Sequence, residues 1–366
     1  MRALWLVFLP AILYQCLAIF ASLRQLRRRK PAAWTDGVSV LKPLRGLDPN
    51  TSEAFVSQVE QKHPEFEVLF AARDAVDPAL SEVKRLVSEH PHAPVQFFSG
   101  GPKTLNRKVG LLEELSSRAR YPLRVVNDSD IKVDPDYLLE VTAPLADPQV
   151  GVVTCLYRVK AHNLLAAWEA LGIMTDFMPS TMVAQLIGVR EFGLGSTLAF
   201  RATDLEKAGG FAAIADFIAD DYQLAKGITG LGKRVVLSTY VVETTLGDAT
   251  WLGVWRHQLR WARTIRLSKG AGYSGLPITQ AGLWIAAALL CGALPVAILL
   301  AALRVFSALT AGGLVLKSPL AAAFCWLSPL WDLYSFAIWL ASYCGKTVRW
   351  RDRTLTIGPK GRILKV

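Results

Sequence analysis

The chain has 366 residues, of which 52% are hydrophobic, with a mean hydropathy of +0.30 and a formal net charge of +11. These values exclude an ordinary soluble protein of this size and indicate membrane segments, beside which much of the positive charge lies. The sequence has no nucleic-acid-binding signature and only five scattered cysteines without a CxxC pair, so we expect no nucleic-acid partner, disulfide framework or structural zinc.

The first apolar stretch, Ala3–Leu23, contains no charge and is followed by a basic flank at Arg24 and residues 27–30. At ~1.5 Å per residue this stretch spans ~30 Å, the thickness of one bilayer core. A signal peptide would instead place basic residues before the apolar stretch and a small-residue cleavage site after it. The sequence therefore predicts a retained transmembrane anchor over residues 1–30.

Apolar runs alternate with helical signals over the next segment, which we assign to a domain covering residues 38–273. The predicted strands are Val38–Leu41, Phe66–Ala72, Val95–Phe98, Leu123–Asn127 and Val150–Tyr157. The predicted helices begin with a capping box at Asn50 and Glu53 (to about Lys62), at Asp77-Pro78 (to about Glu89), at Asn106 (to Ala119) and at Asp134-Pro135. This alternation predicts an α/β fold, with a mostly parallel, Rossmann-like sheet and helices on both faces.

Two acidic sites directly follow predicted strands. Asp74 comes after the second strand, and Asp128-Ser129-Asp130 comes after the fourth. Ligands of such sheets bind beyond the carboxyl ends of the strands, so we expect a nucleotide there. Such triplets also form ordinary turns. However, Asp128 and Asp130 at a strand end can share a divalent cation, Mg²⁺ or Mn²⁺, with a diphosphate.

Two further segments are weaker candidates for this site. Asn106-Arg107-Lys108 could cradle phosphate, with Lys108 as the cation, although it does not match a P-loop. The turn Gly193-Leu194-Gly195-Ser196 could bring Gly195 close to a sugar, and a tight entry into a strand is an equal alternative.

Asp220-Asp221-Tyr222 is the candidate catalytic motif. One interpretation is an N-cap for the helix that runs through Ala225. The other is a general base, because two adjacent acids repel each other and raise one pKa. We assign the base to Asp221.

Two apolar segments of this domain are predicted to lie at the membrane interface, near residues 163–189 and 250–269. Glu169 and Asp176 make the first costly as a span. In the second, Trp251 and Trp255 share a face at helical spacing, while arginines supply charge.

The box His257-Gln258-Leu259-Arg260-Trp261 lies on the second interface helix. Arginine matches phosphate oxygens with a fork of donors, so we assign Arg260 to a diphosphate and Trp261 to the same site. A snorkelling arginine and an interfacial tryptophan are the alternative. His257 lies one turn before Trp261 and is assigned to the acceptor side, although a lone helical histidine is more often structural.

The second apolar block covers residues 279–343, and a basic tail covers residues 344–366 and includes Arg351. We predict two spans, Thr279–Leu303 and Pro319–Tyr343, joined by an apolar link, Val305–Leu316, that is too short to cross and could be re-entrant. The positive-inside rule places both basic flanks in the cytoplasm, which three spans satisfy. The middle domain is then cytoplasmic as well.

In this order, the motifs resemble the ceramide glucosyltransferase family of the GT-A class. The matching pieces are Ser39–Gly46, Asp74–Pro78, Asp128-Ser129, Asp220-Asp221-Tyr222 and Arg260-Trp261. The resemblance implies that the acid at Asp74 contacts the base, that Asp128 lies at the nucleotide and metal, and that Asp221 is the general base of an inverting transfer. His257 occupies a position where the family usually has Gln or Arg.

The expected activity is transfer of a hexose from UDP-glucose or UDP-N-acetylglucosamine to a hydroxyl of a membrane lipid, ceramide or a hopanoid. Leu145–Pro148 and Val153–Arg158 resemble the bacterial branch that acts on hopanoids, which implies a bacterial inner membrane. A processive polysaccharide synthase is the nearest enzymatic alternative, and a non-catalytic membrane scaffold or transporter is an alternative of another class. The sequence leaves the oligomeric state open.

Overall fold

A computed structural model describes residues 4–350 and 353–365. Ala3, with which the predicted anchor begins, and Arg351 of the basic tail lie outside the described residues. The chain divides into two compact units. The first, Arg29–Tyr157 with Val189–Thr245, is called the sheet unit here; the second, built from residues 1–28, 158–188 and 246–366, is called the helical unit.

The strands and helices have the following bounds. The strands are β1 (Val38–Leu44), β2 (Phe66–Ala72), β3 (Val95–Ser99), β4 (Leu123–Val126), β5 (Val150–Ala161), β6 (Leu198–Arg201), β7 (Arg234–Leu246), β8 (Thr347–Trp350), β9 (Arg353–Ile357) and β10 (Ile363–Lys365). The helices are α1 (Leu4–Leu26), α2 (Thr51–Val59), α3 (Pro78–Glu89), α4 (Arg107–Arg118), α5 (Tyr137–Thr142), α6 (Leu164–Gly172), α7 (Met178–Leu186), α8 (Ala202–Lys207), α9 (Asp220–Thr229), α10 (Trp251–Lys269), α11 (Ala271–Ser274), α12 (Ala281–Leu290), α13 (Leu294–Ala308), α14 (Pro319–Phe324) and α15 (Ser328–Ser342).

The central sheet has seven strands in the order β3-β2-β1-β4-β6-β5-β7. Strand β1 pairs in parallel with β2 and with β4, and β2 pairs in parallel with β3. Strand β6 is antiparallel to both β4 and β5. The predicted α/β fold with a mostly parallel sheet is therefore confirmed. Strand β7 was not predicted, and β6 was predicted only as the strand that the Gly193–Ser196 turn could enter.

The sheet unit buries its central strands β1 and β4 on both faces, as is typical of parallel strands. All seven residues of β1 are buried, and so is every residue of β4. Helix α4 packs Leu112 and Leu115 against Leu41 and Val126 of these strands. This packing supports β4, after which the Asp128 motif begins.

The predicted helix start at Asn50 is confirmed, since Asn50 is the N-cap residue of α2, but the predicted capping box is wrong. Asn50 has a left-handed backbone (φ 60°), and its side-chain amide donates to Thr245 Oγ1 at 3.1 Å instead of capping α2, which ends at Val59. Asp134 does not begin a helix, because its carbonyl accepts the Tyr137 amide at 3.0 Å in a turn and α5 starts only at Tyr137. The Asp77-Pro78 start is confirmed, since the Asp77 carboxylate accepts from the Ala79 amide.

In the helical unit, α6 and α7 join through a π-helical turn, Ile173–Phe177, and form one bent element over the first predicted interface segment. Helix α10 covers the second. The sequence analysis counted both segments in the middle domain, whereas in the structure they group with the apolar helices.

Two helices of the described chain are long and apolar enough to cross a membrane, Leu6–Leu26 and Leu294–Val315. A bent pair, Gly272–Ile278 with Ala281–Leu290, would make three if it forms one span. The predicted count of three spans is therefore not confirmed.

The bounds predicted for the two C-terminal membrane spans, and for the link between them, are wrong. The span expected over Thr279–Leu303 breaks after Leu290, where Gly292 has a left-handed φ of 68° that favours glycine. The apolar stretch Val305–Leu316 is not a re-entrant link, because α13 continues through it as a π-helix to Val315. The last predicted span, Pro319–Tyr343, is interrupted by a 3₁₀ turn at Cys325–Leu327.

Two of the charges inside the apolar block, those of Arg304 and Asp332, are paired with each other. The Arg304 guanidinium donates from Nε and Nη2 to the two carboxylate oxygens of Asp332 at 2.8 and 2.7 Å, and both side chains are buried. Arg304 also donates to the Thr175 carbonyl, and Asp332 accepts the Gly282 amide. A buried pair of this kind avoids the free-energy cost of an isolated charge in an apolar environment.

The basic tail folds into a second sheet, in the order β10-β9-β8, which the sequence analysis did not predict. Its strands pair antiparallel, and the Arg263 side chain of α10 donates to the Thr347 carbonyl at 2.6 Å. The cytoplasmic placement of the tail and of the sheet unit stays a prediction.

Candidate functional site

The acidic motifs lie at one edge of the parallel sheet. Strands β2 and β4 flank β1 and run in the same direction, and they end at Ala72 and Val126. Asp74 and Asp128 follow two residues after these ends, as predicted. Asp74 is exposed in the turn that leads into α3, where its carbonyl accepts the Asp77 amide at 3.0 Å.

Two hydrogen bonds hold the segment that carries Asp128. Ser129 Oγ donates to Asp48 Oδ2 at 2.7 Å, and the buried Lys42 ammonium of β1 donates to the Asp128 carbonyl at 2.7 Å. Burial lowers the pKa of Lys42 to about 7, against the opposing charges of Asp130, Asp128 and Asp48. These two bonds therefore fix the backbone of Asp128 just beyond the carboxyl end of β4.

Asn106 brings the start of α4 to the segment before α9. Its side-chain oxygen accepts the amides of Lys108 and Val109, and its amide nitrogen donates to the Phe217 carbonyl at 2.8 Å. The cap satisfies backbone donors at the helix N-terminus that have no partner inside the helix. As a result, Lys108 in the first turn of α4 reaches Asp220 in the first turn of α9.

Lys108 is the cation at the centre of the site. Its ammonium lies 2.8 Å from Asp128 Oδ1 and 3.0 Å from Asp220 Oδ2. Burial alone would lower the pKa of Lys108, but the charges of Asp128, Asp220 and Asp221 outweigh burial and raise it. Lys108 therefore stays charged and joins the strand-end acids to the acids of α9.

Asp221 has the environment of a general base. Its Oδ2 accepts the Gly195 amide at 3.1 Å, and its Oδ1 accepts the Tyr222 amide at 2.7 Å. Burial and the neighbouring negative charge of Asp220 raise the pKa of Asp221 to about 6, although Lys108 opposes them. The alternative N-cap assignment is wrong, because Ala219 is the N-cap of α9 and no side chain caps it.

Gly195 separates two of the carboxylates. A Cβ atom at this position would lie 3.0 Å from Asp128 Oδ2 and 3.6 Å from Asp221 Oδ2. A side chain would therefore fill the space that both oxygens face. Gly195 lies between the bridge partners Leu194 and Thr197, shortly before β6, so the strand-entry alternative is confirmed, whereas the approach to a sugar stays a prediction.

Asp130 offers the second carboxylate of the predicted metal pair. It accepts a hydrogen bond from Thr244 Oγ1, and burial together with the charge of Asp128 raises its pKa. No group of three or more His, Cys, Asp or Glu side chains that could hold a metal occurs in the part of the chain that the structure describes. A metal at this edge would need further oxygen ligands, which a substrate diphosphate supplies in typical Mg²⁺ sites.

The predicted box on α10 lies in the helical unit. His257 Nδ1 lies 2.6 Å from Oε1 of the buried Glu169, and the His257 ring contacts that of Trp261 with centroids 5.0 Å apart. Trp261 also packs on Phe177 at 5.5 Å. Arg260 lies between His257 and Trp261 in the sequence of α10. The histidine is therefore paired with a carboxylate, and Arg260 and Trp261 keep their assignment as a prediction.

The two tryptophans assigned to the interface differ. Trp251 is 60% exposed at the start of α10, whereas Trp255 packs against Tyr334 of α15 with ring centroids 5.9 Å apart. Of these two tryptophans, only Trp251 therefore exposes most of its side chain.

The sequence analysis missed several residues that shape these sites: Lys42, Asn106 as a linker, Thr244 and the partner role of Glu169. Lys42 had a usable signal, a lysine inside the apolar run of β1. A buried lysine is rare unless it is paired, so its position next to strand-end acids would have pointed to the site.

Comparisons with known proteins identify the fold and the family. The family model described as "Glycosyl transferase family 21" matches residues 3–363. Ceramide glucosyltransferase 1 of Caenorhabditis elegans is 28% identical over 255 residues, which are 69% of this chain and 54% of the relative. The ceramide glucosyltransferase of Komagataella phaffii is 25% identical over 141 residues, 36% of this chain and 27% of that protein. The chain spans about half the length, or less, of these curated relatives.

Among solved structures, a mannosyltransferase from Pyrobaculum calidifontis in complex with GDP-Man and Mn²⁺ is similar to this chain. The TM-score is 0.59 at 20% sequence identity, and the match covers 93% of this chain and 97% of the other. At this identity the similarity establishes a shared glycosyltransferase fold, which agrees with the predicted GT-A sheet.

Proposed function

The chain belongs to glycosyl transferase family 21, and from this membership we propose that it transfers a hexose from a nucleotide sugar to a hydroxyl of a membrane lipid. The observation that carries the proposal is the Asp221 carboxylate, which has a pKa near 6 and faces the Gly195 gap opposite Asp128. The ceramide glucosyltransferases among the relatives support a lipid acceptor. The apolar helices support a location at the membrane.

The proposed donor is UDP-glucose or UDP-N-acetylglucosamine, bound beyond the carboxyl ends of β2 and β4. Asp74 contacts the base, and Asp128 and Lys108 lie at the diphosphate and sugar. Arg260 and Trp261 of α10 are proposed to complete donor binding. An arginine fork and a lysine ammonium both match phosphate oxygens, which supports their assignment to the anionic part of the donor.

In the proposed reaction, Asp221 takes the proton from the lipid hydroxyl as its oxygen attacks the anomeric carbon. The bond from that carbon to the diphosphate oxygen breaks, and UDP leaves with the electron pair. Lys108 lies where it can stabilise negative charge that develops on the leaving group. One displacement at the anomeric carbon inverts its configuration, so the proposed transfer is inverting.

A divalent cation, Mg²⁺ or Mn²⁺, fits the donor set at this edge. Asp128 and Asp130 are hard oxygen ligands, and burial together with the negative charge of Asp128 raises the pKa of Asp130, a cost that a cation would relieve. Bound there with the diphosphate, such a cation would act as a Lewis acid for the leaving group. Asp128 and Asp130 are the residues that would hold such a cation.

The acceptor is proposed to be ceramide, a hopanoid or a related lipid alcohol, reached from the membrane side. The basic flanks support a cytoplasmic catalytic unit under the positive-inside rule, and the hopanoid-like segments support a bacterial inner membrane. Exposed Trp251 supports contact between α10 and the bilayer surface.

A panel assay tests this function. The purified full chain in lipid nanodiscs is incubated with labelled UDP-glucose, UDP-N-acetylglucosamine or GDP-mannose and with ceramide or a hopanoid alcohol. We expect the label to enter the lipid fraction with one of the UDP-sugars. Label in a water-soluble polymer would support a processive synthase instead. No binding of any nucleotide sugar and no product would support a scaffold or transporter.

A further inference from the structure

Glu169 of α6 is a buried carboxylate that the proposed chemistry does not use. The residue is only 3% exposed, and the helix that carries this acid is otherwise strongly apolar. Its Oε1 accepts from Gln258 Nε2 at 2.7 Å and lies 2.6 Å from His257 Nδ1. Both contacts are therefore to the same oxygen, Oε1.

These contacts hold the carboxylate in one orientation. Because a carboxylate oxygen accepts hydrogen bonds, the His257 ring donates to it from Nδ1. The ring of His257 is further fixed by its edge contact with Trp261 at 5.0 Å. The second oxygen, Oε2, retains its capacity to accept hydrogen bonds from another group.

Four aromatic rings of α6, α10 and α15 pack together, and one of them belongs to Trp168, the residue before Glu169. Trp168 of α6 contacts Trp331 and Tyr334 of α15, with centroids 5.3 and 6.0 Å apart. Tyr334 also contacts Trp331 at 5.3 Å and Trp255 of α10 at 5.9 Å. Helix α6 carries both Trp168 and Glu169, and α10 carries both Trp255 and His257, so the acid and this aromatic cluster belong to the same three packed helices.

Two polar atoms of the cluster have no partner. Trp168 Nε1 and the Tyr334 hydroxyl are both buried, and neither forms a hydrogen bond with any described residue. Buried donors of this kind usually have partners, and leaving one unpaired costs ~1–3 kcal/mol. A ligand that accepts from these donors and donates to Glu169 would recover that loss.

The charge of the cluster limits the chemistry of such a ligand. A buried carboxylate opposes a phosphate or another anionic head, because like charges repel strongly where water is scarce. It favours a hydroxyl or amide, which donates to the carboxylate and accepts from an indole N–H or a phenol O–H. The aromatic faces match the C–H surface that adjoins such a group in a lipid.

We propose that Glu169, Trp168 and Tyr334 form a binding site for the uncharged, hydroxyl-bearing head of the acceptor lipid. The role as acceptor site rests on the proposed transfer to a lipid, whereas binding of the head group does not depend on catalysis. His257 positions Glu169 in this site, which gives the histidine of the α10 box a function other than contact with the donor.

The test is a binding measurement with a fluorescent ceramide that carries a six-carbon acyl chain, made on the full chain in nanodiscs without any donor. We expect Glu169→Gln to raise the Kd for this ceramide about 10- to 100-fold, the range for loss of a hydrogen bond to a charged group. Tyr334→Phe, which removes one unpaired hydroxyl, is expected to raise it about 2- to 10-fold. Tyr343→Phe is the matched control, since its hydroxyl contacts Ser274 outside the cluster, and should leave the Kd unchanged.

A charged probe separates recognition from a loss of folding. Wild-type protein should bind ceramide 1-phosphate at least about tenfold more weakly than ceramide, and Glu169→Gln should reduce that preference, because it removes the repelling charge. Unchanged ceramide binding in both Glu169→Gln and Tyr334→Phe would overturn the site. So would an unchanged preference against ceramide 1-phosphate in Glu169→Gln.

Kinetics distinguish a failure of this site from a failure of the proposed function. With the donor identified by the panel assay, the KM for ceramide should rise in Glu169→Gln while the KM for the donor stays constant. If the wild-type protein transfers no sugar but binds ceramide through Glu169, the site stands and the transferase function fails. If transfer proceeds with an unchanged ceramide KM in Glu169→Gln, the function stands and the site is refuted.

Discussion

Replacing Asp221 with asparagine is expected to lower the rate of sugar transfer ~10²- to 10⁴-fold, the typical contribution of general acid–base catalysis. Asparagine keeps the shape of the side chain and can accept the Gly195 amide, but it cannot take a proton. Binding of the UDP-sugar should therefore stay nearly intact. Rates and donor affinity are measured on the same preparation, by product formation and by equilibrium binding.

The pH profile supplies an internal control for this variant. Because Asp221 must be ionised to act as a base and its pKa is raised to about 6, wild-type kcat/KM should fall as the pH drops through about 6. The residual activity of Asp221→Asn should lack that acidic limb. In Asp220→Asn the limb should move to lower pH, since a neighbouring negative charge is lost.

The variant is also expected to fold at least as well as the wild type at neutral pH. A carboxyl group whose folded pKa lies above its unfolded value contributes stability below the unfolded pKa and loses it as the pH rises through the folded pKa. At pH 7, Asp221 is therefore held ionised against a cost. Wild-type turnover in Asp221→Asn, or an unchanged acidic limb, would refute its assignment as the base.

Removal of divalent cations is the second change with a large expected effect. Chelation with EDTA should reduce transfer about 100-fold or more, because stabilisation of a leaving diphosphate by a Lewis acid amounts to several kcal/mol. Added Mg²⁺ or Mn²⁺ should restore the rate. In Asp130→Ala, the concentration of Mn²⁺ that gives half-maximal activity should increase, as measured by titration of the chelated protein.

Asp136→Asn is the matched control for the cation titration. Asp136 is an exposed carboxylate paired with Lys62 at 3.1 Å, away from the strand-end motif, and its loss should leave the Mn²⁺ requirement unchanged. Full activity after exhaustive chelation would rule out the cation, and Lys108 and Arg260 would then be the cations that the proposal assigns to the leaving group.

Local patterns in the sequence predicted much of the sheet unit. The strand Phe66–Ala72 has the predicted bounds, and Asp77 caps α3 as the Asp-Pro pair indicates. Both signals are carried by neighbouring residues, so they need no knowledge of the rest of the chain. The capping box predicted at Asn50 is wrong because a distant residue decides the contact. The Asn50 side-chain amide donates to Thr245, 195 positions away.

The centre of each site depends on contacts that sequence spacing cannot show. The Lys108 bridge to Asp220 requires Asn106 to bind the Phe217 carbonyl, 111 positions away. Glu169 meets His257 across 88 positions, so its acidic character was interpreted only as an obstacle to spanning a membrane. The residue types were visible in the sequence, whereas their partners follow from how α4, α9, α6 and α10 pack.

The central claim is that a lipid hydroxyl, deprotonated by Asp221, displaces UDP directly from the anomeric carbon. The most direct measurement is the anomeric configuration of the lipid product, determined by proton NMR after transfer from an α-linked UDP-sugar. The account predicts a β-linked sugar on the lipid, formed by the wild type and nearly absent with Asp221→Asn. An α-linked product, which requires retention of configuration, would contradict direct displacement with Asp221 as the base.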